Sequence, residues 1–220
     1  QVFLLDPEAR GDMAKPLPPA VKGANTWKWQ IPRAVDDKLA VLSDGDKRLI
    51  AIRISNDEEK ALTEAAAATT SNSLVSPITV LGKVVFVVDS SDSLLNFILP
   101  NLAPGKSQAL GARCVWGPQR VGKYVLVATE KNRLFAIDAQ GKVAWQSVLG
   151  YGPLAGAPCL SGEEIFLSAR SGTVWRISAI DGKELGKVDA GCPLGTGPLV
   201  VGTRVIVGGH EGSLLEVKKP

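Results

Sequence analysis

The chain has 220 residues, of which 45% are hydrophobic and 21% charged, and this balance excludes a disordered, collagen-like or coiled-coil protein. Its 25 basic and 22 acidic residues leave a net charge of +3, which is too small to indicate binding to nucleic acid or to an anionic membrane. Three cysteines without C-x-x-C spacing, one His and one Met indicate neither a disulfide framework nor a zinc or haem site. No apolar run is long enough to span a membrane as a helix.

Prolines mark a repeat of about 40 residues that runs through most of the chain. They follow one another at intervals of 45, 41, 40 and 40 residues: Pro32, Pro77, Pro118, Pro158 and Pro198. A missing backbone donor costs least where a strand begins, so each proline is expected at the first, inner strand of its repeat.

Two further columns of residues punctuate the repeat. Glycines stand four residues after the last three prolines, at Gly122, Gly162 and Gly202, and five residues after Pro77, at Gly82. Fourteen residues after the last three prolines stand Asn132, Gly172 and Gly212. Gly and Asn accept a positive φ angle, so the second column predicts a hairpin turn.

Short β-rich runs lie on both sides of each turn. In chain order, strands are predicted at Leu39–Ser43 and Leu49–Ile54, Val84–Asp89 and Leu94–Ile98, Tyr124–Thr129 and Leu134–Asp138, Glu164–Ala169 and Val174–Ser178, and Arg204–Gly208 and Ser213–Val217. Strands of this length with a turn signal about every ten residues are typical of all-β proteins. Four strands in about 40 residues form one propeller blade.

The sequence therefore predicts one all-β domain over residues 1–220, a β-propeller of four-stranded blades with about 21 strands. Whole repeats are placed at about 31–70, 71–111, 112–151 and 152–191. Val2–Asp6 has a strand pattern with nothing before it, so residues 192–220 and 1–10 are expected to share a split blade. Either the two ends close a five-bladed ring or the chain is part of a larger propeller; a start at Gln fits processing or trimming.

Two stretches depart from the repeat. Gly11–Thr26 is rich in proline and is predicted to be a loop between blades. Asp57–Thr69 favours helix by propensity, but its position is that of an outer strand. We predict the strand, with the helix as the alternative.

The run AIDAQGKVAW, Ala136–Trp145, resembles the pyrroloquinoline-quinone-like β-propeller repeat, A-x-D-x-x-x-G-K-x-x-W, with one residue deleted before the glycine. Weaker copies stand at Ile177–Leu185 and Phe3–Gly11. The resemblance implies that Trp145 packs against the next blade as a docking residue. Gly186 or Val188 stands near the equivalent position one blade further on.

The resembling family contains quinoprotein dehydrogenases, which bind the quinone and Ca²⁺ through a Glu/Asn/Asp cluster with an Asp base and often use adjacent cysteines. Here Cys114, Cys159 and Cys192 each stand alone, and the blades are fewer than such enzymes usually have. The resemblance therefore implies the non-enzymatic branch, whose propellers are interaction platforms, as in the lipoprotein of the outer-membrane assembly machinery.

One histidine and two pairs of aspartates are the candidates for chemistry. His210 beside Glu211 could act as a general base, but no nucleophile or metal partner accompanies it. The pairs Asp44/Asp46 and Asp89/Asp92 have spacings that can hold Ca²⁺, although the full calcium loop is absent. Asp is also common in hairpin turns, so plain turns are the preferred interpretation for all of them.

The turns of successive blades are expected on one face of the propeller. That face would carry mixed charge from Asp44, Asp46, Asp89, Asp92, Glu130, Lys131, Arg170, His210 and Glu211. The links into the first strands add Arg113, Trp116 and Tyr151. An exposed Trp and Tyr near a channel mouth would suit a peptide or small ligand, and blade-to-blade packing is the alternative. The candidate contacts are therefore Arg113, Trp116, Tyr151, Arg170 and His210.

The cysteines are expected to be small buried hydrophobes or unpaired thiols. Cys159 should lie in a first, inner strand, and Cys114 and Cys192 should lie in comparable loops two blades apart, too far for a bond.

The leading hypothesis is a non-catalytic interaction scaffold without a cofactor, periplasmic or otherwise extracytoplasmic in a bacterium, with a protein partner. The alternatives are a relative of quinoprotein dehydrogenases, with pyrroloquinoline quinone and calcium, and a propeller that binds a small ligand or carbohydrate.

Overall fold

The computed structural model describes residues 30–54 and 62–220, and the backbone of two short strands nearer the start of the chain. These strands, β1 (Phe3–Leu4) and β2 (Lys15–Pro16), pair antiparallel with each other. The remainder of the predicted loop at 11–26 lies outside the described residues. The split blade formed by residues 192–220 and 1–10 stays a prediction.

Residues 1–111 with 139–141 form one compact unit. Its sheet 1 has the strand order β3 (Arg33–Ala34), β4 (Leu39–Ser43), β5 (Arg48–Ile54) and β6 (Leu62–Thr69). Sheet 2 joins β7 (Thr79–Leu81), β8 (Val84–Val88) and β9 (Ser93–Ile98), and two short strands, β10 (Ala103–Pro104) and β11 (Gln108–Ala109), share the outer edge of β9.

The outer strand of sheet 1 settles the competition between helix and strand. β6 pairs antiparallel with β5, so the prediction of a strand is confirmed for residues 62–69, and residues 57–61 lie outside the described part of the chain. Ala66 and Ala68, two residues apart, both pack against the core of the unit. Pairing with β5 provides hydrogen-bond partners for the backbone of β6, and the two-residue period places alternate alanines against the core. Together these gains outweigh the helix propensity of alanine.

Residues 112–138 with 142–220 form the second compact unit, which contains three sheets. Sheet 3 has the order β12 (Cys114–Val121), β13 (Tyr124–Thr129), β14 (Arg133–Ile137) and β15 (Val143–Val148). Sheet 4 has the order β16 (Cys159–Ser161), β17 (Glu164–Ser168), β18 (Thr173–Ser178) and β19 (Glu184–Asp189). Sheet 5 joins β20 (Leu199–Val201), β21 (Arg204–Gly208) and β22 (Leu214–Val217).

The two faces of sheet 4 bury alternate residues against its two neighbours. Leu167 and Trp175 belong to an apolar cluster shared with sheet 3, whereas Phe166 and Val174 belong to a cluster shared with sheet 5. All four are at most 2% exposed. Burying each such side chain contributes about 1.5–3 kcal/mol. The period of two along each strand thus makes one sheet adhere to both neighbours.

The turn between the second and third strands follows the sequence columns. The φ angles are +55° at Asn132, +109° at Gly172 and +88° at Gly212. Pro32, Pro158 and Pro198 directly precede the first strands of sheets 1, 4 and 5, and Pro77 stands two residues before β7. Pro118 differs, because it lies inside β12 where the pairing register with β13 shifts. A register shift removes the need for the backbone donor that proline lacks.

Sequential antiparallel sheets of about 40 residues, with no helix among the described residues, confirm the predicted fold class. The protein is an all-β propeller of four-stranded blades. Across the part of the chain that the structure describes, no helix is long and apolar enough to cross a membrane.

Candidate functional site

The linkers between sheets hydrogen-bond to the turns between second and third strands, and in the second unit these segments form one edge. We call it the linker edge: linker residues 112–113, 149–154 and 190–196 with turn residues 129–132, 169–172 and 209–212. It contains four of the five candidate contacts and adjoins the fifth, Trp116 in β12.

One hydrogen bond recurs in the three sheets of the second unit. The backbone N–H of Glu130 donates to the carbonyl of Arg113 at 2.9 Å, that of Arg170 to Pro153 at 3.0 Å, and that of His210 to Pro193 at 2.9 Å. The donors stand 40 residues apart, and all three side chains are exposed. The repeat therefore presents one outward-facing position per sheet, and its occupants are a carboxylate, a guanidinium and an imidazole.

The linkers are also bonded to the turns that precede them. The N–H of Leu149 donates to the carbonyl of Asn132 at 2.8 Å, and that of Ala190 donates to Gly172 at 2.9 Å. Each of these linkers is therefore attached to a turn of both sheets that it joins. Backbone held in this way cannot move without breaking several hydrogen bonds, so the exposed side chains project from a fixed frame.

The charged candidates differ in their partners. Arg113 forms an ion pair with Glu130, 3.1 Å between Nε and Oε2, and the two side chains are 72% and 47% exposed. A pair this exposed contributes at most about 1 kcal/mol. Within the described residues, no side-chain hydrogen bond or ion pair is found for Arg170 or His210. Both can therefore accept a contact from outside the chain without losing one within it.

The two aromatic candidates pack between sheets 3 and 4. Trp116 and Tyr151 are partly buried against the cluster that contains Trp175. The ring of Tyr151 meets that of Trp175 edge to face at 5.2 Å, and its hydroxyl donates to the Glu184 carboxylate at 2.8 Å. The ammonium of Lys187 lies 4.8 Å from the centre of the Tyr151 ring. These contacts support the packing alternative for Tyr151.

Asp44 and Asp46, one of the two pairs proposed for calcium, accept hydrogen bonds from their own turn and from the following linker. Asp44 Oδ1 accepts the N–H of Asp46 at 2.8 Å and that of Arg48 at 3.0 Å. Asp46 Oδ1 accepts the hydroxyl of Ser73 in the following linker. These bonds favour the preferred interpretation of plain turns.

Asp89 fills the same place in sheet 2. Its Oδ1 accepts the N–H groups of Ser91 at 3.0 Å and Ser93 at 3.1 Å, and its Oδ2 accepts the amide of Asn72 at 3.1 Å. Burial raises the pKa of the Asp89 carboxyl, but the hydrogen bonds from Ser91, Asn72 and Ser93 outweigh it and hold the pKa below its usual range. The carboxylate is thus ionised and fully occupied at neutral pH.

No group of three or more His, Cys, Asp or Glu side chains among residues 30–54 and 62–220 is arranged to hold a metal ion. All three cysteines, Cys114, Cys159 and Cys192, are free thiols, and Cys159 is the first residue of the first strand of sheet 4.

Several partners of the candidate residues were not predicted. Glu184, which receives the Tyr151 hydroxyl, stands 33 residues along the chain, and Asn72 stands 17 residues before Asp89. No local pattern marks such pairs. The recurring bond from the turn to the linker does have a signal, since its donors keep the 40-residue period of the prolines.

The sheets and their linkers define the class of this protein as a propeller of the pyrroloquinoline-quinone-like repeat type. A family model described as "Outer membrane protein assembly factor BamB" matches residues 102–219, more than half of the chain. The chain belongs to this family. A search of curated proteins found no match.

Solved structures with similar folds share little sequence with the chain. The computationally designed Ika8 protein has 11% identity and a TM-score of 0.68, with 87% of this chain and 58% of that chain covered. Hsv2 from Kluyvelomyces marxianus has 10% identity and a TM-score of 0.64, with coverage of 85% and 59%. BamB from Moraxella catarrhalis has 16% identity and a TM-score of 0.49, with coverage of 84% and 72%. The chain thus spans less than two thirds of the length of the first and second of these, and the likeness to them shows the fold alone.

Proposed function

We propose that this protein is a non-catalytic scaffold that binds another protein through the linker edge, as an assembly factor outside the bacterial cytoplasm. The family description, an outer membrane protein assembly factor, supports both the scaffold role and the compartment. We assign this role to the linker edge.

One observation carries the proposal: three exposed side chains, Glu130, Arg170 and His210, project from backbone that is hydrogen-bonded to the linkers. A surface ordered before binding loses less conformational entropy when a partner docks, so a larger share of the contact energy appears as affinity. Loops held on one side only would lack this advantage.

The side chains of the edge indicate a polar, charged contact. The side chain of Arg170 has no hydrogen-bond or ion-pair partner within the described residues, and Arg113 exchanges an exposed ion pair readily. Such groups at the rim of an interface govern association rate and partner choice more than total affinity. The partner is therefore expected to present carboxylates towards Arg170.

Two features weigh against the enzymatic and small-ligand alternatives. The carboxylates of Asp44 and Asp89 are committed to turn N–H groups, so they do not offer a metal cluster. Tyr151 is committed to Trp175 and Glu184, so its ring does not offer a stacking surface.

Site-specific photo-crosslinking in bacterial cells tests the proposal. A crosslinking residue replaces Arg170 or, in a second variant, His210, and the control replaces Lys123, an exposed residue in the turn at the opposite end of β13. We expect one adduct of defined mass from positions 170 and 210, none from 123, and several-fold loss of the His210 adduct when Arg170→Glu is added.

Equal adducts from all three positions, or none from 170 and 210, would contradict the proposal. A calorimetric titration with pyrroloquinoline quinone and Ca²⁺ provides the second arm. Saturable binding there would favour the dehydrogenase-like alternative over the scaffold.

A further inference from the structure

A cluster of charges joins sheet 5 to sheet 4 at the side away from sheet 3. Glu164, the first residue of β17, is contacted by Arg176 on β18 and by Lys219, which follows β22; the Lys219 Nζ lies 2.7 Å from Oε2. The side chains of Glu164 and Arg176 are 24% and 23% exposed, and that of Lys219 is 51% exposed. The cluster is therefore half-buried, where charges attract more strongly than at an open surface.

The residues after β22 extend across sheet 4 at this point. The Nε of Arg176 donates to the carbonyl of Pro220, and the ammonium of Lys219 lies 5.8 Å from the centre of the Phe166 ring. Gly186 on β19 leaves space for the backbone of Pro220, because a Cβ at position 186 would lie 2.7 Å from the carbonyl carbon of Pro220. Segment 218–220 is thus held by an ion pair, a hydrogen bond and a cation–π contact.

The same place is occupied differently one sheet earlier. In sheet 3, Trp145 pairs with Ala136, and its indole N–H donates to the carbonyl of Ala179 in sheet 4 at 3.1 Å. In sheet 4 the corresponding pair is Gly186 with Arg176. Sheet 4 has Gly186 where sheet 3 has Trp145, and Arg176 where sheet 3 has Ala136. The guanidinium of Arg176 therefore donates to a carbonyl of the next sheet, as the indole of Trp145 does in sheet 3.

We propose that residues 218–220 form an ionic strap that, beside the apolar cluster, holds sheet 5 on sheet 4 with Glu164 as its anchor, and that neutralising Glu164 or screening its charge loosens sheet 5. The strap requires both cations at one carboxylate. Glu164 and Arg176 both belong to sheet 4. The attraction to Glu164 that crosses between the sheets therefore depends on Lys219.

The titration of the anchor agrees with this arrangement. The hydrogen bond from Lys219, against the opposing effect of burial and with the charge of Arg176, holds the pKa of the Glu164 carboxyl below its usual range. A lowered carboxyl pKa stabilises the folded form above the unfolded-state pKa of about 4.3 and the gain is lost as pH falls through the folded-state value. Within residues 30–54 and 62–220, those two cations are the charged groups that contact Glu164, and its register partners, Ser161 on β16 and Ser178 on β18, are uncharged.

Hydrogen–deuterium exchange of the whole chain tests the strap. Glu164→Gln and Lys219→Met are each expected to speed exchange of the β20–β22 amides about three- to tenfold at pH 7, while amides of β13 and β14 keep the wild-type rate. Lys219→Arg is expected to restore slow exchange. The matched control is Glu216→Gln, which breaks the Arg204–Glu216 pair within sheet 5, whose side chains are 64% and 49% exposed.

The double variant and salt sharpen the test. Glu164→Gln with Lys219→Met should add nothing to the larger single effect, and 1 M NaCl should speed exchange in the wild type but not in the double variant. Unchanged exchange in both single variants would overturn the strap. An increase of the same size in Glu216→Gln, or one spread evenly through β13 and β14, would also overturn it.

Discussion

Both faces of sheet 4 bury apolar side chains against their neighbours, but one equivalent contact on each face is made by different chemistry. Towards sheet 3, Trp145 is 7% exposed, donates its indole N–H to Ala179 and meets the ring of Tyr124 edge to face at 6.0 Å. Towards sheet 5, the corresponding contact is made by the half-buried charges of Arg176, Glu164 and Lys219. At this equivalent position, one interface has an aromatic ring and the other has a cluster of ions.

The difference shows that the repeat conserves a position in space more strictly than a residue type. In both interfaces, a side chain on the outer half of one sheet donates to a backbone carbonyl just after the third strand of the next. The indole makes that bond while burying apolar area, so its contribution persists in salt and acid. The ionic contact weakens in salt and in acid, so experiments that vary these two conditions distinguish it from the contact made by the indole.

The largest expected effect comes from breaking the apolar interface. Trp145→Ala should lower the free energy of unfolding by about 3–5 kcal/mol, because it removes a buried ring and its hydrogen bond and leaves a cavity. Urea titration followed by circular dichroism measures the loss. Trp145→Phe is the control, which retains most of the ring area but loses the donor, and should cost clearly less. Equal losses in the two variants would assign the interface to the hydrogen bond instead.

A smaller effect is expected from the turn under that ring. Gly182 has a φ angle of +71°, and a Cβ there would lie 2.5 Å from the Trp145 ring. Gly182→Ala should therefore lower the free energy of unfolding by more than the backbone strain of about 1–3 kcal/mol. Gly191→Ala is the matched control, with φ +77° and open space around its Cβ. The difference in the free energy of unfolding between the two variants, measured by urea titration, reports how tightly the Trp145 ring packs on Gly182. No difference would mean that the ring moves aside to make room for the added methyl group.

Next in size is a contact in the first unit, where the carboxylate of Asp89 accepts a hydrogen bond from Asn72 in the linker. Asp89→Ala should lower the free energy of unfolding by about 1–2 kcal/mol, since it leaves turn N–H groups and Asn72 without their acceptor. Because its pKa is lowered in the folded protein, the carboxylate stabilises the fold above the unfolded-state pKa of about 3.9, and this gain is lost as the pH falls through the folded-state value. Denaturant titrations at pH 7 and pH 3 check both statements. A wild type and variant that differ as much at pH 3 as at pH 7 would contradict the role of the carboxylate.

The smallest effect concerns Asp181, an exposed carboxylate next to Gly182 in the turn that contacts Trp145. A hydrogen bond from Lys183 lowers the pKa of Asp181 to about 2. Lys183→Met should raise this pKa towards the usual value of about 3.9. Carboxyl carbon shifts in an NMR titration report it, and Glu163→Gln, a nearby exposed charge, is the control. An unchanged pKa in Lys183→Met would assign the shift to Ser178 and the backbone.

Much of the fold could be predicted because the repeat is local. Strands such as Leu39–Ser43 and Tyr124–Thr129 were placed with the bounds that the structure has, since alternation and turn residues lie within a few positions of each other. The split outer strand of sheet 2 was not predicted. There Asn96 donates to the carbonyl of Lys106 and fills the gap between β10 and β11, a contact across ten residues that no period marks.

The candidate site could be predicted only in part. The repeat placed Arg170 and His210 at equivalent turn positions, and both are exposed. For Tyr151 the sequence left ligand binding and packing open, because an aromatic residue in a glycine-rich linker suits either. Its contacts with Trp175 and Glu184 come from another sheet and are defined by how the sheets stack.

The sequence by itself determined the all-β class, the repeat, the turn positions and the family, because these depend on residues close together in the chain. Only the tertiary structure decided which side chains close each interface. The motif of Trp145 predicts that this residue docks on the next sheet. At the equivalent place in sheet 4, Gly186 replaces the ring, and Arg176 and Lys219 make the contact instead. These residues come from different strands and from the segment after β22. Such a substitution is governed by volume and charge in three dimensions, which no spacing along the chain records.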